Sequence, residues 1–217
     1  MNTQELNRII QSFVASESIS PSTLRNQGAK RVVEGARRYL AGLDLRIFAV
    51  SDRRHFASQL DKCTTALQRR LPEGARNWGA ARKAMNVFLR NSYYNQFLCS
   101  CFNLHLAVAF YEVPLDSKVA EELRKLDKHK VLPKWPGVKY LDKHANAVYQ
   151  SHLGQLAVQS AVDRVHLDAI LWQRLGRALT SGFPSEDMAR PEGVLLPKAF
   201  LRKDELIPSR NVRGEVE

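Results

Sequence analysis

An all-α protein is the fold class this sequence predicts, and three observations predict it. Apolar residues recur three and four apart along most of the chain. Ser, Thr, Asp and Pro stand where helices would begin, and clusters of Gly and Pro stand where they would end.

Each element follows from that reading. Leu6, Ile9, Ile10 and Phe13 place a helix over residues 3–17 with Thr3 as its cap. Ser20-Pro21 opens a second helix, because proline at a first helical position loses no hydrogen bond, and this helix is expected to reach about Leu40, before Gly42. Residues 45–50 form a short link, extended or helical. Ser51 caps a third helix ending near Leu71, and Leu71-Pro72-Glu73-Gly74 breaks it. Residues 78–94 are helical again, with Ala81, Ala84, Met85, Phe88 and Leu89 on one face. The apolar stretch 97–110 predicts a buried helix turning into Val113-Pro114. Asp116 opens a helix over 117–126, Leu132-Pro133-Lys134-Trp135-Pro136-Gly137 is a rigid loop, and two long helices cover 142–161 and 162–179. Residues 1–180 therefore form one helical domain, and 181–217, with Pro184, Pro191, Pro197 and Pro208, an irregular C-terminal tail.

Composition narrows the function. The 217 residues suffice for a buried core without disulfides, and 44% hydrophobic with 25% charged residues is ordinary for a soluble protein. No apolar run reaches the roughly 18 residues a membrane span needs, and the polar start is no secretory signal, so a cytoplasmic monomer is expected. Cys63, Cys99 and Cys101 are too few for a disulfide framework or a four-cysteine cluster. The six histidines form no metal-binding motif and no Gly-rich phosphate loop is present, so neither metal nor cofactor is expected. The informative quantity is charge. Thirty-three Lys and Arg against 22 Asp and Glu give +11, an excess that favours a polyanion, because neutralised phosphates release their counterions. Arg37-Arg38, Arg53-Arg54, Arg69-Arg70 and Arg82-Lys83 distribute that charge over several segments, which suits a long groove better than a basic tail.

Two segments carry candidate chemistry: Trp78-Gly79-Ala80-Ala81-Arg82-Lys83-Ala84-Met85-Asn86-Val87-Phe88-Leu89 and Val113-Pro114-Leu115-Asp116-Ser117-Lys118-Val119. Together they resemble the active-site half of the helix-hairpin-helix DNA glycosylases, in which a glycine hairpin leads into a lysine-bearing helix and an aspartate segment follows. The resemblance covers about residues 71–123, and the 33 positions between Lys83 and Asp116 look most like the archaeal 8-oxoguanine glycosylases. Gly74 and Gly79 sit farther apart than the family's hairpin glycines, and the iron-sulfur cysteines of some relatives have no counterpart here.

The resemblance implies a two-lobed helical fold around a cleft, with hairpin and active-site segment within 71–126. It also implies Lys83 and Asp116 as catalytic residues, and Gly79, Arg82 and Lys118 as DNA contacts. Breaking an N-glycosidic bond leaves positive charge on the deoxyribose, which a carboxylate beneath the sugar stabilises. A neutral lysine amine can instead attack C1′, form a Schiff base and permit strand cleavage. The same residues also have plainer readings: Asp116 as a helix cap, Lys83 as a solvated lysine.

A base-excising enzyme must extrude its target and hold it between aromatic or apolar walls. Trp78, Tyr94, Trp135 and Trp172 are candidates, with Asp168 as a contact to the base; Tyr93 and Tyr140 share the aromatic reading, and each aromatic could equally be a core residue. Asn91, Asn95 and Gln96 could read a base edge or cap a helix. Arg164, Asp168 and Arg174 read as a charged helix face. The expected function is excision of a modified base from double-stranded DNA. That base is a damaged purine such as 8-oxoguanine, or a hypermodified phage base such as glucosylated hydroxymethylcytosine, which would make the protein an antiviral defence enzyme. The competing class is a helical DNA-binding protein without catalysis.

Overall fold

The computed structural model describes residues 1–24, 31–127 and 130–179, so the expected 181–217 tail lies outside the described residues. Among them there are eight α-helices and no strand: α1 (Thr3–Ser18), α2 (Val32–Ala41), α3 (Arg53–Arg70), α4 (Trp78–Tyr94), α5 (Gln96–Phe102), α6 (Ser117–Leu126), α7 (Lys143–Gln159) and α8 (Leu167–Leu179). None is long and apolar enough to cross a membrane.

Several boundaries differ from expectation for local reasons. The cap of α1 is Asn2, whose side chain accepts from Glu5 N at 2.8 Å, not Thr3; the cap of α3 is Asp52, accepting from His55 N at 2.6 Å, not Ser51. In both places two capping residues are adjacent, and the one directly before the first helical residue takes the role. The second helix begins at Val32 rather than at Pro21. Thr23 N reaches back to Ser20 O and Thr23 Oγ1 donates to Ser18 O, a local turn that competes with helix. The apolar stretch 97–110 is not one helix. Asn103 takes the left-handed conformation (φ 52°), ends α5 and starts a 3₁₀ segment, Leu104–Phe110. A 3₁₀ turn, Arg164–His166, likewise separates α7 from α8.

The buried apolar residues form two clusters. One gathers α1 to α5 around Phe48, Phe56, Leu67, Met85 and Phe88; the other gathers α6 to α8 around Leu115, Val119, Leu123, Tyr149 and Leu153. Helix α4 is buried almost all round, from Gly79 through Ser92, and is the axis against which α1, α2, α3 and α5 pack. Side chains close its surroundings. Arg37 of α2 donates to Ser16 O and Ile19 O, supplying partners and positive charge at the C-terminal end of α1, while buried Gln11 donates to Leu40 O and Leu43 O at the end of α2.

Residues 111–115 run between the two clusters without helical hydrogen bonds, so their buried backbone groups need other partners. Gln150 of α7 supplies two: its Oε1 accepts from Val113 N (3.1 Å) and its Nε2 donates to Val113 O (2.7 Å). Arg164 donates to Phe110 O and Tyr111 O, both at 2.8 Å. It is therefore an interior clamp and not part of a charged helix face; burial pulls its guanidinium below the usual arginine range, against the opposing pull of Glu112.

Glu112 is the polar centre of this region. It accepts from Arg82 Nε (2.9 Å) and NH2 (3.0 Å), Asn86 Nδ2 (3.1 Å) and Asn146 Nδ2 (3.2 Å). Arg82 NH1 also reaches Thr64 Oγ1 and Asp61 Oδ1 of α3, each at 3.0 Å. Glu112→Ala therefore leaves Arg82 Nε and NH2 and two amides without their acceptor, with only Asp61 and Thr64 left to the guanidinium, and should lower unfolding stability in urea by about 3 kcal/mol. Arg82→Met with Glu112→Leu, which removes both charges, should lose less than Glu112→Ala alone.

Candidate active site

Lys83 lies in the second turn of α4, which starts at Trp78 with Asn77 as cap (Oδ1 to Ala80 N, 2.9 Å) after the break at 71–77. Asp116 is the N-cap of α6: its Oδ1 accepts from Lys118 N and Val119 N, both at 3.0 Å. Its Oδ2 stands 3.4 Å from Lys83 Nζ. Residues from two helices, 33 positions apart, thus meet with only 11% (Lys83) and 18% (Asp116) of each side chain exposed. The capping reading of Asp116 is correct, and it is compatible with chemistry, because the cap occupies one carboxylate oxygen and leaves the other facing the amine.

The pair opens on a cleft of about 920 Å³. Helix α4 lines it with Lys83, Val87, Arg90 and Tyr94, one stripe at spacings of four, three and four. Opposite stand Asp168 and Trp172 on α8, four residues apart. The third wall is the loop carrying Trp135 to Tyr140. Of the expected residues, Lys83, Asp116, Lys118, Tyr94, Trp135, Asp168 and Trp172 all line this one space.

Their partners define the walls. Lys118 Nζ sits 4.2 Å from the centre of the Trp172 ring, a cation–π contact on the cleft surface. Trp135 packs edge-on against buried Tyr149, which donates its hydroxyl to Pro133 O at 2.8 Å. Tyr94 lies nearly parallel to the His166 ring and shares a 3.0 Å hydrogen bond with His166 Nδ1. Asp168 pairs with Arg90, a residue the sequence reading did not single out. Burial pulls the Arg90 guanidinium below the usual arginine range, while Tyr94 and Asp116 favour its charge. Periodicity from Lys83 would have found it, since Arg90 lies two helical turns along the same face.

Three expected site residues are elsewhere. Arg82 is 5% exposed and fully engaged with Glu112, Asp61 and Thr64, so no donor is offered to a DNA phosphate. Trp78 is no cleft wall: its ring stacks against the Arg82 guanidinium, 5.1 Å from centroid to carbon. Gly79 is buried under the 138–141 turn, where an added Cβ would stand 2.1 Å from Val138 O and 2.8 Å from Leu141 Cβ. The close approach this glycine permits is to protein backbone, which seats the third wall of the cleft, and not to a phosphate. Among the remaining candidates, Asn95 caps α5 (Oδ1 from Leu98 N, 3.0 Å). Tyr93 packs against Tyr111, and Asn91 lines the cleft while bridging Arg90 Nε and Ser18 Oγ.

Compared with known proteins, the chain matches no family model, no curated protein and no solved structure.

The seat of the loop wall can be tested through its glycine. Gly79→Ala should cost about 1–3 kcal/mol in urea unfolding because backbone must move. Gly154→Ala in α7, where nothing lies within 4 Å of the added carbon, should instead raise stability by about 0.5–1 kcal/mol.

Proposed function

We propose that the protein is a DNA glycosylase of the helix-hairpin-helix kind, which extrudes a modified base into the cleft and excises it. The observation that carries this reading is the meeting of Lys83 and Asp116 at the cleft, an amine from the second turn of α4 and a carboxylate capping α6, 3.4 Å apart. Elements surrounding them support it. A helix, a short 3₁₀ turn (Glu73–Ala75) and a second helix follow one another in the order that reading asks for, and two apolar clusters flank residues 111–115.

In this mechanism the extruded nucleotide enters with its base toward Trp135 and Trp172, and with Arg90 and Asp168 as polar partners for the base edge. Bond cleavage leaves positive charge on the sugar. The Asp116 carboxylate, held rigid by two backbone N–H donors, stabilises that charge without needing to form a covalent bond. Water attack on C1′ completes hydrolysis to an abasic site. Lys118 and Lys139 on the cleft wall suit the flanking phosphates, since cations there position the strand without reading sequence. The substrate is a damaged purine such as 8-oxoguanine or a bulkier modified base, either of which the cleft is large enough to admit.

Lys83 decides whether the reaction stops there. As a nucleophile it attacks C1′ through its neutral amine, forming a Schiff base that leads to strand cleavage. As an ammonium it only pairs with Asp116. A protein that binds DNA without catalysis is the competing class, and release of free base from DNA carrying a panel of modified bases, followed by mass spectrometry, separates it from an enzyme.

Asp116→Asn keeps size and capping while removing charge, so base release should fall on the order of a hundredfold or more as the fold is retained. Unchanged release would remove Asp116 from the mechanism. Borohydride added during the reaction should trap a covalent protein–DNA adduct if Lys83 is the nucleophile, and Lys83→Gln should abolish it. An adduct that persists in Lys83→Gln assigns the chemistry to another amine; no adduct in the wild type leaves hydrolysis as the whole reaction.

A further inference from the structure

Tyr140 has no packing role. It is 70% exposed, and the 3₁₀ turn Val138–Tyr140 that carries it contains no buried residue, although Tyr140 belongs to the cleft wall. The backbone beneath it is nonetheless firmly held. Leu132 and Leu141 are buried at the two ends of the loop, Pro133 O accepts from Tyr149, and Val138 O rests on Gly79 at a distance that no side chain would allow. Gly137, at φ +85°, turns the chain outward with nothing near the position of a Cβ. A rigid loop thus presents an aromatic ring to solvent at the edge of the cleft.

The chemistry beside the ring points to its ligand. Lys139 Nζ lies 5.6 Å from the centre of the Tyr140 ring, and Lys118 and Lys83 line the same cleft. Ring and cations together suit a polyanion whose units carry flat faces. Single nucleobases stack on exposed aromatic rings irrespective of sequence, and neighbouring lysines meet the phosphates.

We propose that Tyr140 is a stacking residue for the nucleobase next to the extruded nucleotide. Its ring holds the opened duplex at the cleft edge while the target base lies against Trp135 and Trp172. This rests on the glycosylase reading for the identity of the extruded base, but the stacking itself can be measured without base release.

The probe is duplex DNA carrying 2-aminopurine beside a tetrahydrofuran abasic-site analogue, a substrate that needs no excision. Wild-type protein should bind it and quench the 2-aminopurine by stacking. Tyr140→Ala should bind about tenfold more weakly or worse and lose the quench, while Tyr140→Phe should retain both. Because the side chain is exposed, all three proteins should show the same thermal unfolding. Equal affinity and quenching in wild type and Tyr140→Ala would overturn the proposal, and so would a wild type that leaves the probe unbound. Base release by the wild type from modified DNA is scored separately. Its absence, with the quench intact, would sink the glycosylase reading and leave Tyr140 as a stacking residue of a DNA-binding protein.

Discussion

An extended stretch of backbone carried through a helical interior is the constraint on which this molecule is organised. Residues 111–115 pass between two apolar clusters, where a carbonyl or N–H without a partner costs more than a typical hydrogen bond returns. The chain satisfies them with side chains: Gln150 pairs with both polar groups of Val113 in the manner of a neighbouring strand, and Arg164 takes two carbonyls. Glu112, in the middle, draws Arg82 and Asn86 of α4 and Asn146 of α7 to itself. One segment thereby sets the spacing of α4 and α7, and its end delivers Asp116 to the start of α6. The distance from Asp116 to Lys83 is a consequence of that route, because Lys83 follows directly after Arg82 on the helix that Glu112 holds.

That dependence explains which parts of the site were legible in the sequence. Asp116 was readable because its cap is local: the accepting oxygen and the two N–H donors lie within three residues. Lys83 was picked out by the resemblance of its segment to a glycosylase motif, and Trp172 and Asp168 only by residue type; that the last two, four residues apart, share one wall is visible in the folded helix alone. Arg82 was misassigned for the converse reason. Adjacent helical residues point about a quarter-turn apart, so a neighbour of Lys83 need not share its surroundings. The partner that claims Arg82, Glu112, lies 30 residues away in a segment with no pattern of its own. Nothing local distinguishes a basic residue bound for a buried carboxylate from one bound for a phosphate.

The fold was legible on the same terms. Helices with long periodic faces, α4 above all, matched expectation, whereas the misplaced ends are places where small polar residues cluster and several could cap. The turn at Ser20–Thr23 is decided by a few local hydrogen bonds among Ser18, Ser20 and Thr23, and the break at Asn103 by one left-handed residue. Gly79 is the instructive case. A glycine near a hairpin invites a phosphate, yet the atoms that occupy its missing side chain belong to Val138 and Leu141. The requirement for close approach was real, and only the identity of the approaching group differed.

The charges in the cleft are arranged in a way that surface decoration would not produce. Asp116 and Asp168 each stand against a cation of α4, Lys83 and Arg90, one helical face apart by two turns. Both pairs are largely withdrawn from water, where an ion pair barely repays the loss of hydration and so contributes little to stability by itself. A protein that needed only a stable core would do as well with apolar residues at positions 83, 90 and 168 and with any capping residue at 116. What the arrangement supplies is direction. Asp116, tethered through one oxygen to the N-terminus of α6, holds its second oxygen toward Lys83. Preorganised charge of this kind has its largest effect on a species whose own charge changes during reaction. The sugar of the proposed excision, turning cationic as its base departs, is such a species.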